Sequence, residues 1–253
     1  MTAAEPAQLR GGAPRGGDVT SAVLVLHGGR EHSMRPTASN QLSLLRMVDM
    51  YVGLRRRSHA SAVYLLRHRV RGWNPDVSGR AEPDPVVDAR WALDQVSKRH
   101  GDVPIGLLGH SMGGRTAFAV ADDPRVVGVC GLAPWLPDGE RPLRPRTDQR
   151  FVLAHGTADR MTSAPASLRY AQRLRASGAA VVRFELSGGK HALLDQPLLW
   201  HRFAVTVTLG LVGDGPLPGA VTAALRRPTP ENLRLSLESF GSDGERSCSP
   251  EQP

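Results

Sequence analysis

Residues 105–114 read Ile105-Gly106-Leu107-Leu108-Gly109-His110-Ser111-Met112-Gly113-Gly114, and this stretch decides the fold. Ile105–Leu108 is a short apolar run, the pattern of a buried strand. Gly109–Gly113 is a G-x-S-x-G turn, and the residues from Gly114 to Ala121 read as a helix. Alone, the five-residue pattern is weak in a chain with 27 glycines. Between a strand and a helix it gains a physical meaning. A serine on so sharp a turn takes a strained backbone conformation, and its neighbours two residues away must be tiny. Its hydroxyl then stands clear of the sheet edge, with a helix N-terminus beneath it that favours developing negative charge.

Outward from this turn, apolar runs alternate with helical patterns. Ala22–Leu26, Ala62–Leu66, Val126–Cys130, Phe151–Ala154 and Val181–Leu186 join Ile105–Leu108 as strands. Between them, Gln41–Arg57 places Leu44, Val48 and Val52 on one helical face. Asp84 followed by Pro85 marks a helix start, and Ser163 another. Residues 196–211 fit a covering helix. Six strands separated by helices predict an α/β fold, a mostly parallel sheet of about six strands with helices on both faces. Right-handed crossovers put every strand C-terminus on one edge, where such folds build their sites. Residues 1–20 read as a flexible arm, 21–211 as the folded domain, and 212–253 as a disordered tail. Within that tail Leu233, Leu235, Leu237 and Phe240 are spaced to dock as a short element.

A serine nucleophile needs a base, and the base needs an acid to orient it. His191 follows the last strand in Gly188-Gly189-Lys190-His191, and Asp159 follows Phe151–Ala154 in His155-Gly156-Thr157-Ala158-Asp159. Ser111, Asp159 and His191 each follow their own strand, so three groups distant in sequence can converge. His155 and His201 rival His191, while Asp138 and Asp148 rival Asp159. After the first strand, His27-Gly28-Gly29-Arg30 lets the backbone approach a substrate carbonyl. The amide of Met112 with that of Gly29, or of Arg30, would form an oxyanion hole. Trp135, Arg71 and Trp73 are candidate substrate contacts. Arg69 or Arg71 is suited to hold an anionic group, unless Asp76 or Glu82 pairs with it.

Composition limits the alternatives. Hydrophobic residues make up 40% of the 253, enough for a sizeable core. No apolar run reaches the ~20 residues that span a bilayer, and the N-terminal stretch lacks a signal-like apolar segment. Two cysteines offer no disulfide framework. These features lead us to expect a cytoplasmic protein with no membrane insertion. The formal net charge is +8, and residues 21–75 hold nine Arg against Glu31 and Asp49. No zinc-finger spacing or RNA-binding aromatic signature accompanies that charge, so nucleic acid is not an expected partner.

Gly109–Gly113, Asp159, His191 and the His27–Gly29 loop together resemble the α/β-hydrolase superfamily over about residues 21–211. Within it the chain is most similar to compact bacterial serine esterases of the dienelactone-hydrolase-like group. Those lactone hydrolases use a cysteine nucleophile where this chain has Ser111, a departure that favours ester chemistry. The resemblance implies a sheet lacking the superfamily's first two strands. Counting Ala22–Leu26 as the third, it orders the strands 4-3-5-6-7-8. Only residues 131–150 separate two strands where relatives insert a cap, which implies no large cap. The implied activity is acyl transfer from a small-molecule, short-chain carboxylic ester to Ser111, with no metal and no cofactor. A peptidase, thioesterase or acyltransferase would share the triad, and a non-catalytic binding protein is the remaining alternative. The sequence leaves the oligomeric state open.

Overall fold

The structure, a computed structural model, describes residues 6–14, 16–74, 82–140 and 144–242. In chain order its strands are β1 (Gln8–Gly12), β2 (Ser21–Leu26), β3 (Ser61–Arg67), β4 (Ile105–His110), β5 (Val126–Leu132), β6 (Arg150–Gly156), β7 (Ala180–Leu186) and β8 (Leu235–Ser236). The helices are α1 (Leu42–Arg57), α2 (Asp84–His100), α3 (Met112–Ala119), α4 (Ala164–Ala176), α5 (Pro197–Leu211), α6 (Gly219–Arg226) and α7 (Leu237–Ser242), with a 3-10 turn at Pro230–Leu233.

These strands form one sheet in the order β1-β3-β2-β4-β5-β6-β7-β8. Its inner six follow the expected order and are parallel throughout. Six strands are too few, however, since each edge gains one. The arm expected over residues 1–20 is corrected by β1, which pairs antiparallel with β3 from Gln8↔Arg67 to Gly12↔Val63. Arg55 donates to the carbonyl of Gly12 at 2.7 Å and fastens that strand's end to α1. At the other edge β8 pairs with β7.

Side chains alternate along each strand, so the sheet carries two cores. Ala22, Leu24 and Leu26 join Val86, Leu93 and Phe118 on the α2, α3 and α4 face. Val23 and Val25 join Met47, Leu54 and Phe203 on the face covered by α1 and α5. Ser163 accepts a hydrogen bond from the Ala166 amide and caps α4 as its sequence predicts. Asp84 instead sits in the first turn of α2, with Pro83 at the cap position. Among the described residues, no helix is long and apolar enough to cross a membrane.

The disordered tail expected over 212–253 is corrected as far as residue 242. The Asp214 carboxylate accepts from the Ser58 hydroxyl and from the amides of His59, Ala60 and Ser61. Leu237 and Phe240 are buried, and the Phe240 ring packs 5.1 Å from Phe203 and 6.3 Å from Phe184. The fully buried Arg183 guanidinium donates to the Leu233 and Ala164 carbonyls and to Glu185. The tail thus extends the sheet edge and adds to both cores, Leu233 on the α4 face and Leu237 and Phe240 beside α5. Phe240→Ala should cost about 3 kcal/mol of unfolding free energy, read from a urea melt. A loss under about 0.5 kcal/mol would mean the tail contributes no packing.

Candidate active site

β4 ends at His110 and α3 begins at Met112, so Ser111 alone makes the turn. Its φ of 57° and ψ of −121° lie where side chains are strained. A Cβ on Gly109 would overlap the Gly113 carbonyl, and one on Gly113 would overlap that of Leu26. The small residues of the turn are thus required by contact as well as by the backbone. Ser111 is pinned on both sides: its amide donates to Leu132 O, and its carbonyl accepts from the Arg115 and Trp135 amides. Because the helix starts two residues before the sequence suggests, the Met112 amide falls at its first position. Such amides have no partner within the helix.

Three side chains meet at this turn. His191 Nε2 lies 3.0 Å from Ser111 Oγ, and His191 Nδ1 lies 2.8 Å from Asp159 Oδ2. The Asp159 side chain is fully buried on the turn after β6, and its Oδ1 accepts from the Met161 and Thr162 amides. Burial pushes this carboxyl's pKa up, but hydrogen bonds from His155, His191 and Thr162 outweigh it. The net effect holds the group well below the usual carboxylate range. Asp159 is therefore ionised at neutral pH and aimed at the imidazole.

Around this line stand groups that the sequence alone does not reveal. The Thr162 hydroxyl donates to Asp159 Oδ2 at 2.9 Å, and lies 3.1 Å from His191 Nδ1. The only sequence cue is its place three residues after a turn aspartate, a spacing common in local side-chain turns. His110 Nε2 donates to the His191 carbonyl at 2.9 Å. Burial, then the neighbouring His191, pushes the His110 pKa down to about 3, so it braces the loop as a neutral ring. His155 is also buried, which lowers its pKa, and its Nε2 lies 3.3 Å from Asp159 Oδ2. His201 instead meets Asp49 where α5 packs on α1. Asp138 pairs with Arg169 and Asp148 with Arg146. None of these three joins the serine.

The loop after β2 faces Ser111 across a cleft of about 820 Å³. Gly29, Arg30, Arg71, Met112 and Trp135 line it together with Ser111 and His191. The Arg30 amide donates to Arg71 O at 2.7 Å and is therefore already engaged. Trp73 N then donates to Arg30 O, and Arg71 N to Arg35 O, so residues 69–74 form a backbone brace under the loop. His27 is buried beneath. Its Nδ1 donates to Gly28 O and its Nε2 accepts from the His68 amide. Burial pushes the His27 pKa down to about 3, consistent with that neutral tautomer.

The two candidate anion-binding arginines separate. Arg69 is engaged by Asp88 and Asp84 on α2 and does not line the cleft. Arg71 lines the cleft, makes no ion pair among the described residues, and has a buried Nε without a partner. Glu82 pairs with Arg90 instead, and Asp76 lies outside the described residues. Trp73 does not reach the cleft. It is buried beneath Trp135 with the Arg115 guanidinium 4.0 Å from its ring centre and 4.5 Å from that of Trp135. Arg115 in turn binds Glu140 at 2.6 Å.

No family model and no curated protein matches this sequence. Solved structures do match the fold. Est1E from Butyrivibrio proteoclasticus, solved with ferulic acid, superposes with a TM-score of 0.59 at 13% identity, covering 81% of this chain and 95% of that one. XC6422 from Xanthomonas campestris, described as an α/β serine hydrolase without a lid, gives 0.59 at 16% identity over 82% and 89%. A monoacylglycerol lipase from Paleococcus ferrophilus gives 0.54 at 17% identity over 82% and 100%. At such identities the likeness is one of fold.

Proposed function

We propose that this chain, which has the α/β-hydrolase fold, is a serine hydrolase acting on carboxylic esters with small or short acyl groups. One observation carries the reading: an unbroken line from Ser111 Oγ through His191 to a buried, ionised Asp159, at 3.0 and 2.8 Å. In this reading Ser111 Oγ attacks the ester carbonyl while His191 Nε2 takes its proton. The amides of Met112 and Gly29 hold the oxyanion, and the imidazolium returns the proton to the departing alkoxide. Water then repeats the sequence on the acyl-enzyme. Asp159 fixes the tautomer in which Nδ1 carries hydrogen and Nε2 is free to accept it.

Two features support a small ester over a peptide. The segment between β5 and β6 is short, and Trp135 from it lines a cleft of about 820 Å³. The neighbours named as esterases and a lipase point the same way. A panel of p-nitrophenyl ester, thioester and anilide tests the class. The ester should be cleaved with the highest kcat/KM, and a preference for the anilide would replace this reading with a peptidase.

Arg71 adds a preference for acidic substrates. Arg71 lines the cleft and makes no ion pair among the described residues, so its terminal nitrogens are available to a carboxylate. Arg71→Ala should raise KM about tenfold or more for a short ester carrying a free carboxylate. KM for the neutral analogue should change less than about twofold. Equal effects on both would assign Arg71 to the backbone brace alone.

A further inference from the structure

Large apolar side chains that stand in solvent are scattered on most proteins, but here they are gathered. Met34, Leu42, Leu45, Met161, Leu194 and Leu198 are 56%, 83%, 46%, 78%, 60% and 85% exposed. The one other large apolar side chain recorded as exposed among the described residues is Trp91, on α2. Leu42 and Met161 line the cleft itself, together with Ser111 and His191. Met34 belongs to the loop after β2, and Leu194 follows His191 by three residues.

These residues share one edge of the fold: Met34, Leu42 and Leu45 follow β2, Met161 follows β6, and Leu194 and Leu198 follow β7, all past strand C-termini on the edge that carries Ser111. Asp49 bonds His201, and Gly53 abuts His201 and Val205, so the two helices run side by side in the same direction. Leu42 and Leu45 stand at the start of α1 and Leu198 at the start of α5, so the two helices begin at this same edge. Nothing internal calls for this. The inner faces of both helices are already filled by Leu44, Met47, Trp200 and Phe203. A contiguous exposed apolar patch beside a cleft marks a binding surface.

The charge around the rim selects its occupant. Arg30 and Arg71 line the cleft, Arg35 follows Met34, Arg46 follows Leu45, and Arg160 precedes Met161. Lys190 is 71% exposed beside His191. The acids near these segments are Glu31, Asp49, Asp159 and Asp195: Asp159 is buried against His191, Asp49 bonds His201, and Asp195 binds the Lys190 amide and ammonium. Apolar tips ringed by cations suit a surface whose outer layer is negative and whose interior is hydrocarbon.

We propose that this rim seats the protein on anionic lipid surfaces, with the cleft mouth turned toward the lipid. Leu42, Leu45, Leu194 and Leu198 would enter the headgroup–acyl boundary, while the arginines meet the lipid phosphates. The contact is peripheral and stands apart from the ester reading, because it concerns binding alone.

The test uses the full chain carrying Ser111→Ala, so that vesicles stay intact. Co-sedimentation is measured with vesicles of phosphatidylcholine alone and of phosphatidylcholine with phosphatidylglycerol. Binding is expected only where phosphatidylglycerol is present, and it should weaken as salt rises. Adding Leu45→Ser and Leu198→Ser should lower the partition coefficient about tenfold. If that pair melts early, Leu198→Ser alone serves, since its side chain is 85% exposed, with an expected loss of about threefold. Three results would overturn the proposal. One is no binding to either vesicle. Another is binding that both leucine variants leave unchanged. The third is a dimer in solution that the leucine variants dissociate while vesicles stay unbound, which would make the rim an interface between copies.

Discussion

Ser111→Ala is expected to lower kcat for a short p-nitrophenyl ester by about 10⁴- to 10⁶-fold. The change removes one oxygen and disturbs little else. Alanine fits the turn, because the crowding there comes from Gly109, Gly113 and Gly114. His191 keeps Asp159, and the Met112 and Gly29 amides keep their places. What is lost is the only hydroxyl within hydrogen-bonding reach of His191 Nε2 among the recorded contacts. Any turnover that remains should come from water activated by the same histidine and oxyanion donors. KM should change by less than about threefold, since the serine oxygen contributes to the transition state far more than to ground-state binding. Retained turnover would remove Ser111 from the mechanism.

Asp159→Asn is expected to lower kcat by about 10³- to 10⁴-fold, with the fold intact by circular dichroism. The argument concerns where one proton sits. Asp159 Oδ2 accepts from His191 Nδ1 at 2.8 Å, which leaves Nε2 as the acceptor facing Ser111. Oδ1 is already committed to the Met161 and Thr162 amides, so the asparagine must turn its oxygen toward them. Its NH₂ then faces His191, Nδ1 becomes the acceptor, and Nε2 carries the hydrogen toward the serine. A base in that tautomer cannot take the serine proton. His155 and the Thr162 hydroxyl also meet Oδ2 and would lose their acceptor. A change under about tenfold would show that His191 is oriented by other groups, with His110 on its carbonyl the first to consider.

The turn at Ser111 and the line from it through His191 to Asp159 are legible in the sequence because their constraints are local. Gly109, Gly113 and Ser111 are set by the sterics of one turn, and Asp159 and His191 each follow a strand that its apolar run betrays. The inner sheet order is the one the family resemblance implies for those strands. What is not legible depends on distant packing. Gln8–Gly12 has no apolar alternation, being an exposed edge strand that borrows its order from Ser61–Arg67. Asp214 and Phe240 look like tail residues until α1 and α5 supply their partners. Arg69 and Arg71 are two residues apart with similar neighbours, and only the placement of Asp84 and Asp88 on α2 tells them apart. The sequence does not distinguish the Arg30 amide from that of Gly29; the bond from Arg30 to Arg71 O depends on a segment some forty residues away. Thr162 carries almost no signal, because threonine after a turn aspartate is common.

The basic excess of residues 21–75 also resolves into separate duties. Arg55 fastens β1, Arg69 clamps α2, and Arg71 faces the cleft. Those three positions answer to the fold and the site.

A fluorophosphonate probe, followed by peptide mass spectrometry, tests the central claim most directly. Attack by a serine activated as described forms a stable phosphonyl ester on that residue and needs no knowledge of the natural substrate. The account predicts a single adduct on the peptide carrying Ser111, absent from Ser111→Ala and strongly slowed in Asp159→Asn. A folded protein that takes no label, or takes it on another residue while Ser111→Ala labels equally, would contradict it.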